Sequence, residues 1–259
     1  MYRVVLTLIG SVLMSTIAIA EMGETIASKS KPTTRLLRSK PEPALRNPFY
    51  VAANGGMAFI PTSSVNITAG SRWDGTVLQG ASCTADAKFD NAAWTSCRFG
   101  YEFFQKDVWA LAVEPDFSYF STKFTAVNPS GGIPSSYGAD ANVDFYNFDF
   151  TLVGSLMPSE RLKLYAGPGL VVSCADVTDA GFTVNGSIIP GTTRASDSDT
   201  AVGFQAILGL RFFMSERFDW SFEYRYRRVE DHTLSFPLAN VDLDKIEAHI
   251  LSLGLCFHF

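Results

Sequence analysis

The residues here that could do chemistry are three histidines, four cysteines and a scatter of carboxylates. His232 follows Asp231 and stands three residues before Ser235, the residue types of a base beside a hydroxyl nucleophile. Hydrolysis of an ester needs such a pair within hydrogen-bond reach. No further carboxylate arrangement surrounds it. Asp116 and Asp149 could make an acid pair of the protease kind, but they read better as partners of nearby cations. His249 and His258 lie toward opposite ends of one segment, where they read as polar residues at an interface and at a rim. No Cys/His set has zinc spacing, and no glycine-rich phosphate loop occurs. No catalytic, cofactor or metal residue is therefore expected. Cys83 and Cys97 are the closest thiols in sequence, and closing that loop would stabilise by about 3 kcal/mol. Their bridge is favoured slightly over free thiols, although the pattern described next turns Cys97 outward.

Any such side chains must be carried by strands. From residue 251 onward Leu251, Leu253, Leu255, Phe257 and Phe259 alternate with Ser252, Gly254, Cys256 and His258. A period of two gives a strand with one apolar and one polar face. Roughly 9–11 tilted residues cross a bilayer, which this segment can supply. The same alternation recurs at 49–60, 92–104, 108–121, 143–157, 162–174, 201–213 and 217–227, which makes eight strands with the last one. Their connections alternate long (61–91, 126–141, 176–199, 230–244) and short. That is the rhythm of a transmembrane barrel with short periplasmic turns and long extracellular loops. The long stretches are rich in Ser, Thr, Gly, Asn and Asp and are expected to be polar loops.

Hydrophobic residues make up 47% of the chain, spread among polar ones, and the net charge of −5 gives no basic footprint for nucleic acid. Beyond the N-terminus no apolar run approaches the ~20 residues of a membrane helix. Residues 1–20 read as a signal peptide: Arg3, an apolar stretch over 4–17, then Ala18-Ile19-Ala20 as the cleavage site. Residues 21–47 carry Lys29, Lys31, Arg35, Arg38, Lys40 and Arg46 with several prolines and read as a disordered periplasmic linker. A sharper alternative sets those cations against anionic headgroups or the cell wall. Residues 48–259 form the barrel.

Backbone groups in hydrocarbon must all be paired, so strands span only as a closed sheet. Eight strands leave a lumen that side chains fill. The inward set is Arg98, Glu102, Glu114, Asp116, Asp149, Lys163, Gln205, Arg211, Glu223 and Arg225, and its mixed signs can neutralise one another. Folding the chain about Lys106 brings Arg98 opposite Glu114, which predicts a luminal salt bridge. A soluble barrel would instead turn its apolar face inward, but so many aromatic residues would overfill it.

The domain resembles the OmpA-like eight-stranded outer-membrane β-barrels of Gram-negative bacteria, a group that includes porin-family and opacity-like small proteins. The features that carry this are the signal peptide, Phe49-Tyr50-Val51, Tyr165-Ala166-Gly167-Pro168-Gly169, Glu223-Tyr224-Arg225-Tyr226 and the closing Gly254-Leu255-Cys256-Phe257-His258-Phe259. The resemblance implies that Phe257 and Phe259 are read by the barrel-assembly machinery, and it departs from the family in showing no C-terminal peptidoglycan-binding domain. The expected role is a structural and surface-interaction protein without enzymatic activity. Its extracellular loops would meet lipopolysaccharide, outer-membrane lipid or a host or cell-surface ligand. A narrow porin is the alternative, and a lipid-modifying enzyme built on His232 the remote one.

Overall fold

A computed structural model of the chain describes residues 47–69, 82–106, 108–128, 137–184, 187–188, 195–236 and 239–259. The expected signal peptide, and the linker up to residue 46, lie outside them. In chain order the described strands are β1 (Phe49–Phe59), β2 (Ser63–Ala69), β3 (Ser82–Phe89), β4 (Ala92–Lys106), β5 (Trp109–Asn128), β6 (Tyr137–Ser159) and β7 (Leu162–Val184). They continue with β8 (Ser187–Ile188), β9 (Ala195–Phe213), β10 (Phe218–Val229), β11 (His232–Phe236), β12 (Ala239–Leu243) and β13 (Ile246–His258).

Eight of these close a ring. The order β1-β4-β5-β6-β7-β9-β10-β13 returns to β1, and every neighbour is antiparallel. The fold is thus an all-β, up-and-down, eight-stranded barrel with no open edge at this level. Its strands are those that the alternation marks. Leu253, Phe222 and Phe148 are 58%, 45% and 55% exposed, whereas Arg98 and Glu223 are 2% and 1% exposed, so the apolar side faces out. A bulge between Glu102 and Phe104 lets both Phe103 and Phe104 face outward at the lower end of β4. On β5 the outward Trp109 and Tyr119 are ten residues apart. That is roughly 34 Å of strand and about 26 Å of height at ~40° tilt, the thickness of an outer-membrane apolar band.

The long connections correct the expectation. Residues 61–91 and 230–244 contain β2, β3, β11 and β12, and the strands flanking 126–141 and 176–199 run far beyond their expected ends. β3 pairs with the upper part of β5, β2 with β3, β12 with β2, and β11 with β12. β11 then faces β9, whose side chains cap its edge: Asp199 Oδ2 accepts from the Thr233 amide at 2.8 Å and Asp197 Oδ2 from that of Ser235 at 2.6 Å. The barrel is prolonged by a sleeve. These stretches look loop-like in sequence because the sleeve is patterned the other way round. Val65, Ile67, Ala85, Ala87, Phe89, Leu234, Phe236, Val241 and Leu243 are buried inside it, while Asn66, Thr84, Asp86, Thr233, Ser235 and Asn240 face outward to water. A strand wetted on its outer face shows Ser, Thr, Asn and Asp at every second position, which is also the composition of a loop.

Two glycines shape the lower lumen by close approach. A side chain at Gly100 would overlap the ring of Tyr50, and one at Gly209 the ring of Tyr165, so each tyrosine ring lies over its register partner on the neighbouring strand.

Candidate functional site

The lumen at membrane height is filled by charge, and strand parity puts it there. On β4 the even positions Ser96 and Arg98 point inward, on β5 Glu114, Asp116 and Ser118, and on β10 the odd positions Ser221, Glu223, Arg225 and Arg227; all are buried. Arg98 is the hub. Its guanidinium donates to Glu223 through both terminal nitrogens at 2.9 and 2.8 Å, to Glu114 Oε2 at 2.9 Å and to Asp116 Oδ2 at 3.4 Å. Below it Arg211 donates to Glu114 Oε1 at 2.5 Å and lies over the rings of Tyr50 and Tyr165, 4.5 and 4.7 Å from their centroids. Tyr50 also bonds Glu114, and Tyr165 donates to Glu223 at 2.9 Å. Above it Arg225 contacts Asp116 at 2.5 Å and Asp149 at 3.5 Å and also touches Glu223, while Arg227 holds Asp149. Lys163 pairs with Glu102 nearer the short turns.

Five cations (Arg98, Lys163, Arg211, Arg225, Arg227) therefore meet five carboxylates (Glu102, Glu114, Asp116, Asp149, Glu223), and their charges cancel. An isolated charge at such a site would cost several kcal/mol. Each of these has an opposite charge in contact.

A second stopper sits directly above. Arg225 lies 4.8 Å from the centroid of Trp94, the largest fully buried side chain, and Phe120 stacks on Phe145 at 4.7 Å beside it. From there the apolar interior of the sleeve continues through Val143, Val177 and Ile250 to Leu234 and Leu243. The cavity among Phe124, Val143, Val177, Leu234, Phe236 and Leu243 measures about 20 Å³. That is room for roughly one water molecule, between walls that offer it few partners.

Every inward residue expected from the sequence lies in the lumen, with Arg98 and Glu114 in contact. Asp116 and Asp149 are direct cross-strand neighbours, but Arg225 holds both beneath Trp94. Sequence reasoning left out Arg227, Trp94 and Asp219, although their parity with Arg225, Arg98 and Glu223 was the available signal. His232 and Ser235 do not meet: three residues apart on β11, they take opposite faces, His232 buried and Ser235 exposed. His232 lies near Asp199, with Nδ1 to Oδ2 at 3.7 Å, and edge-on to Phe145. Burial lowers its pKa, against the opposing pull of Asp199 and Asp231. His249 faces outward and bonds Tyr224 at 2.7 Å. Phe257 and Phe259 pack edge to face at the lower rim, with Phe259 exposed.

The expected Cys83–Cys97 bridge is not made, since Cys97 carries a free thiol. Cys97 faces Phe117 across β4 and β5, whereas β3 joins β5 only from Phe124 to Val127 and Cys83 lies beyond that. The ten residues of β5 from 117 to 127 separate the two levels by roughly 33 Å, far outside the ~7 Å Cα limit for a disulfide. The side chain of Cys83 lies outside the described residues.

A family model described as "Outer membrane protein beta-barrel domain" matches residues 47–259. No curated protein matches the chain in sequence. Among solved structures it is similar to Neisserial surface protein A, with 15% identity, TM-score 0.43 and coverage of 82% of this chain and 97% of that one. It is also similar to the attachment invasion locus protein Ail of Yersinia pestis, with 15% identity, TM-score 0.34 and coverage of 82% and 100%. A third is the outer membrane protease OmpT of Escherichia coli, with 9% identity, TM-score 0.43 and coverage of 88% and 100%.

Proposed function

We propose, from the premise that this chain belongs to the outer-membrane β-barrel domain family, that it serves as a closed scaffold displaying a surface-interaction sleeve. As a family member it resides in the bacterial outer membrane. The observation that carries the reading is the double closure of the lumen. Charge pairs fill it at membrane height and aromatic side chains fill it above, so the described residues leave no continuous water path. A pore for small solutes needs such a path. What the barrel holds outside is a strand-built collar whose outer face is polar, with residues 70–81, 129–136, 185–186, 189–194 and 237–238 joining its strands. A collar of this kind suits contact with lipopolysaccharide or with a host or cell-surface ligand. Phe257 and Phe259, on the lower rim, suit recognition by the barrel-assembly machinery.

Conductance tests the reading. Purified protein in a planar bilayer should leave the membrane silent, and stable single-channel steps would replace the scaffold with a porin. For the surface role, residues 70–81 can be exchanged for a Gly/Ser spacer of equal length. Bacteria carrying the exchange should adhere less to lipopolysaccharide- or matrix-coated surfaces, while the unheated protein still migrates as a folded barrel. Unchanged adhesion would remove residues 70–81 from the role.

A further inference from the structure

The lower end of the lumen holds a group that neither the charge network nor the surface role uses. Asp219 on β10 is the register partner of Cys256 on β13, and His258 follows Cys256 by two residues on the same inward face. All three are buried, at 0%, 0% and 3% exposure, and one donor atom of each lies within 4.8 Å of the other two. His258 Nε2 is 2.6 Å from Asp219 Oδ2 and 3.7 Å from Cys256 Sγ. We propose that Asp219, Cys256 and His258 form a binding site for one borderline-soft divalent metal ion of the zinc type.

The convergence separates this from the two ordinary uses of such residues. In a nucleophilic relay the two imidazole nitrogens serve different partners, one the nucleophile and one the orienting carboxylate. Here thiol and carboxylate meet at the same nitrogen, and the opposite one, Nδ1, is buried with no hydrogen-bond partner. A His258–Asp219 hydrogen bond occupies Nε2 and leaves the thiol, a weak donor and acceptor, as a third group at the same nitrogen. A cation at the meeting point satisfies all three donors at once. In a tetrahedral zinc site, sulphur at about 2.3 Å and nitrogen or oxygen at about 2.0–2.2 Å set the donors roughly 3.3–3.6 Å apart. The Cys–His separation of 3.7 Å is close to this, the Asp–His separation of 2.6 Å has to open by about 1 Å, and the Asp–Cys separation, within 4.8 Å, has to settle into the same range.

The donor set decides the metal class. Thiolate with imidazole and carboxylate favours zinc and its borderline neighbours over magnesium or calcium, which take oxygen ligands. Binding a metal releases the thiol proton, so the thiolate and carboxylate ligands together would bring two negative charges to a divalent ion. Arg211 acts electrostatically on Cys256, but it is itself paired with Glu114 and lies on Tyr50, whose ring in turn meets His258 at 5.3 Å between centroids.

Cobalt(II), titrated into the full chain in detergent micelles, is the probe. The expected result is one equivalent bound, with a thiolate-to-cobalt charge-transfer band and d–d absorption of tetrahedral intensity, displaced by zinc. Cys256→Ser should lose the charge-transfer band, and His258→Gln should lose saturable binding. A chain carrying Cys83→Ser, Cys97→Ser and Cys174→Ser together should keep both. Heat-dependent gel migration identifies any variant that fails to fold. X-ray absorption on zinc-loaded wild-type protein gives a reading independent of the variants: one sulphur neighbour at about 2.3 Å is expected. No saturable cobalt spectrum in the wild type, a charge-transfer band that survives Cys256→Ser, or a shell of nitrogen and oxygen alone would overturn the site.

Discussion

Arg98 shows what a single residue does in a filled lumen. Its guanidinium touches Glu114, Asp116 and Glu223, all buried. Arg98→Ala would strand those carboxylates, and losing one partner of a buried pair typically costs about 3–5 kcal/mol. The urea midpoint for unfolding from lipid vesicles should fall accordingly, and a paired Arg98→Met, Glu223→Gln chain should recover part of the loss because the remaining charges stay balanced. His232 gives the second residue-scale prediction. Its folded pKa lies below the ordinary 6.5 because burial disfavours the charged ring, more than Asp199 and Asp231 favour it. The unfolded chain therefore takes up a proton near pH 6.5 that the folded sleeve does not. Stability is complete above that pH and declines as the pH falls below it, down to the lowered folded value. Hydrogen exchange in β11 and β12, corrected for its intrinsic pH dependence, should speed up in mild acid, and His232→Phe should remove the effect.

At the scale of elements, the same period of two serves two opposite solvents. On β13 and β10 the apolar side meets lipid; on β2, β3, β11 and β12 it meets the interior of the sleeve. Substitutions therefore sort by level. Leu253→Arg puts a charge on the lipid face and should cost about 2–4 kcal/mol if near the bilayer midplane. Leu234→Arg puts one inside the sleeve, unpaired, and should loosen β11 and β12 while leaving the membrane barrel intact. Ser235→Arg, one residue along, faces water and should be close to neutral. Limited proteolysis of the folded protein separates the three: Leu234→Arg alone should open cleavage sites confined to the sleeve.

For the molecule as a whole, the two stoppers lie in series along one axis. Glu223→Gln with Arg225→Gln weakens the charged one but leaves Trp94, Phe120 and Phe145 in place, so a bilayer holding this chain should stay silent. Adding Trp94→Ala breaches the second stopper, and conductance should appear only in that combination. Current from the charge variants alone would show that the aromatic level does not seal. The ring itself explains why both stoppers persist. With eight strands the interior is only as wide as its own side chains, and a closed ladder leaves no edge through which it could widen.

The sequence alone determined the strands, their parity and hence the membership of the charged lumen, because alternation is written residue by residue and lipid tolerates one orientation of it. Arg98, Glu114 and Glu223 could be placed inside before any fold was known, and Arg227 and Asp219 by the same rule applied further along β10. What only the tertiary structure decided is the sleeve and what converges across strands. Val65, Ile67, Leu234 and Leu243 carry the same alternation, but a short apolar–polar run reads identically as loop or as strand until a neighbour supplies its hydrogen bonds and a solvent its polarity. The meeting of Asp219 with Cys256 and His258, like the distance that keeps Cys83 from Cys97, depends on register between strands, and register is fixed by the closure of the ring and not by any one strand's residues.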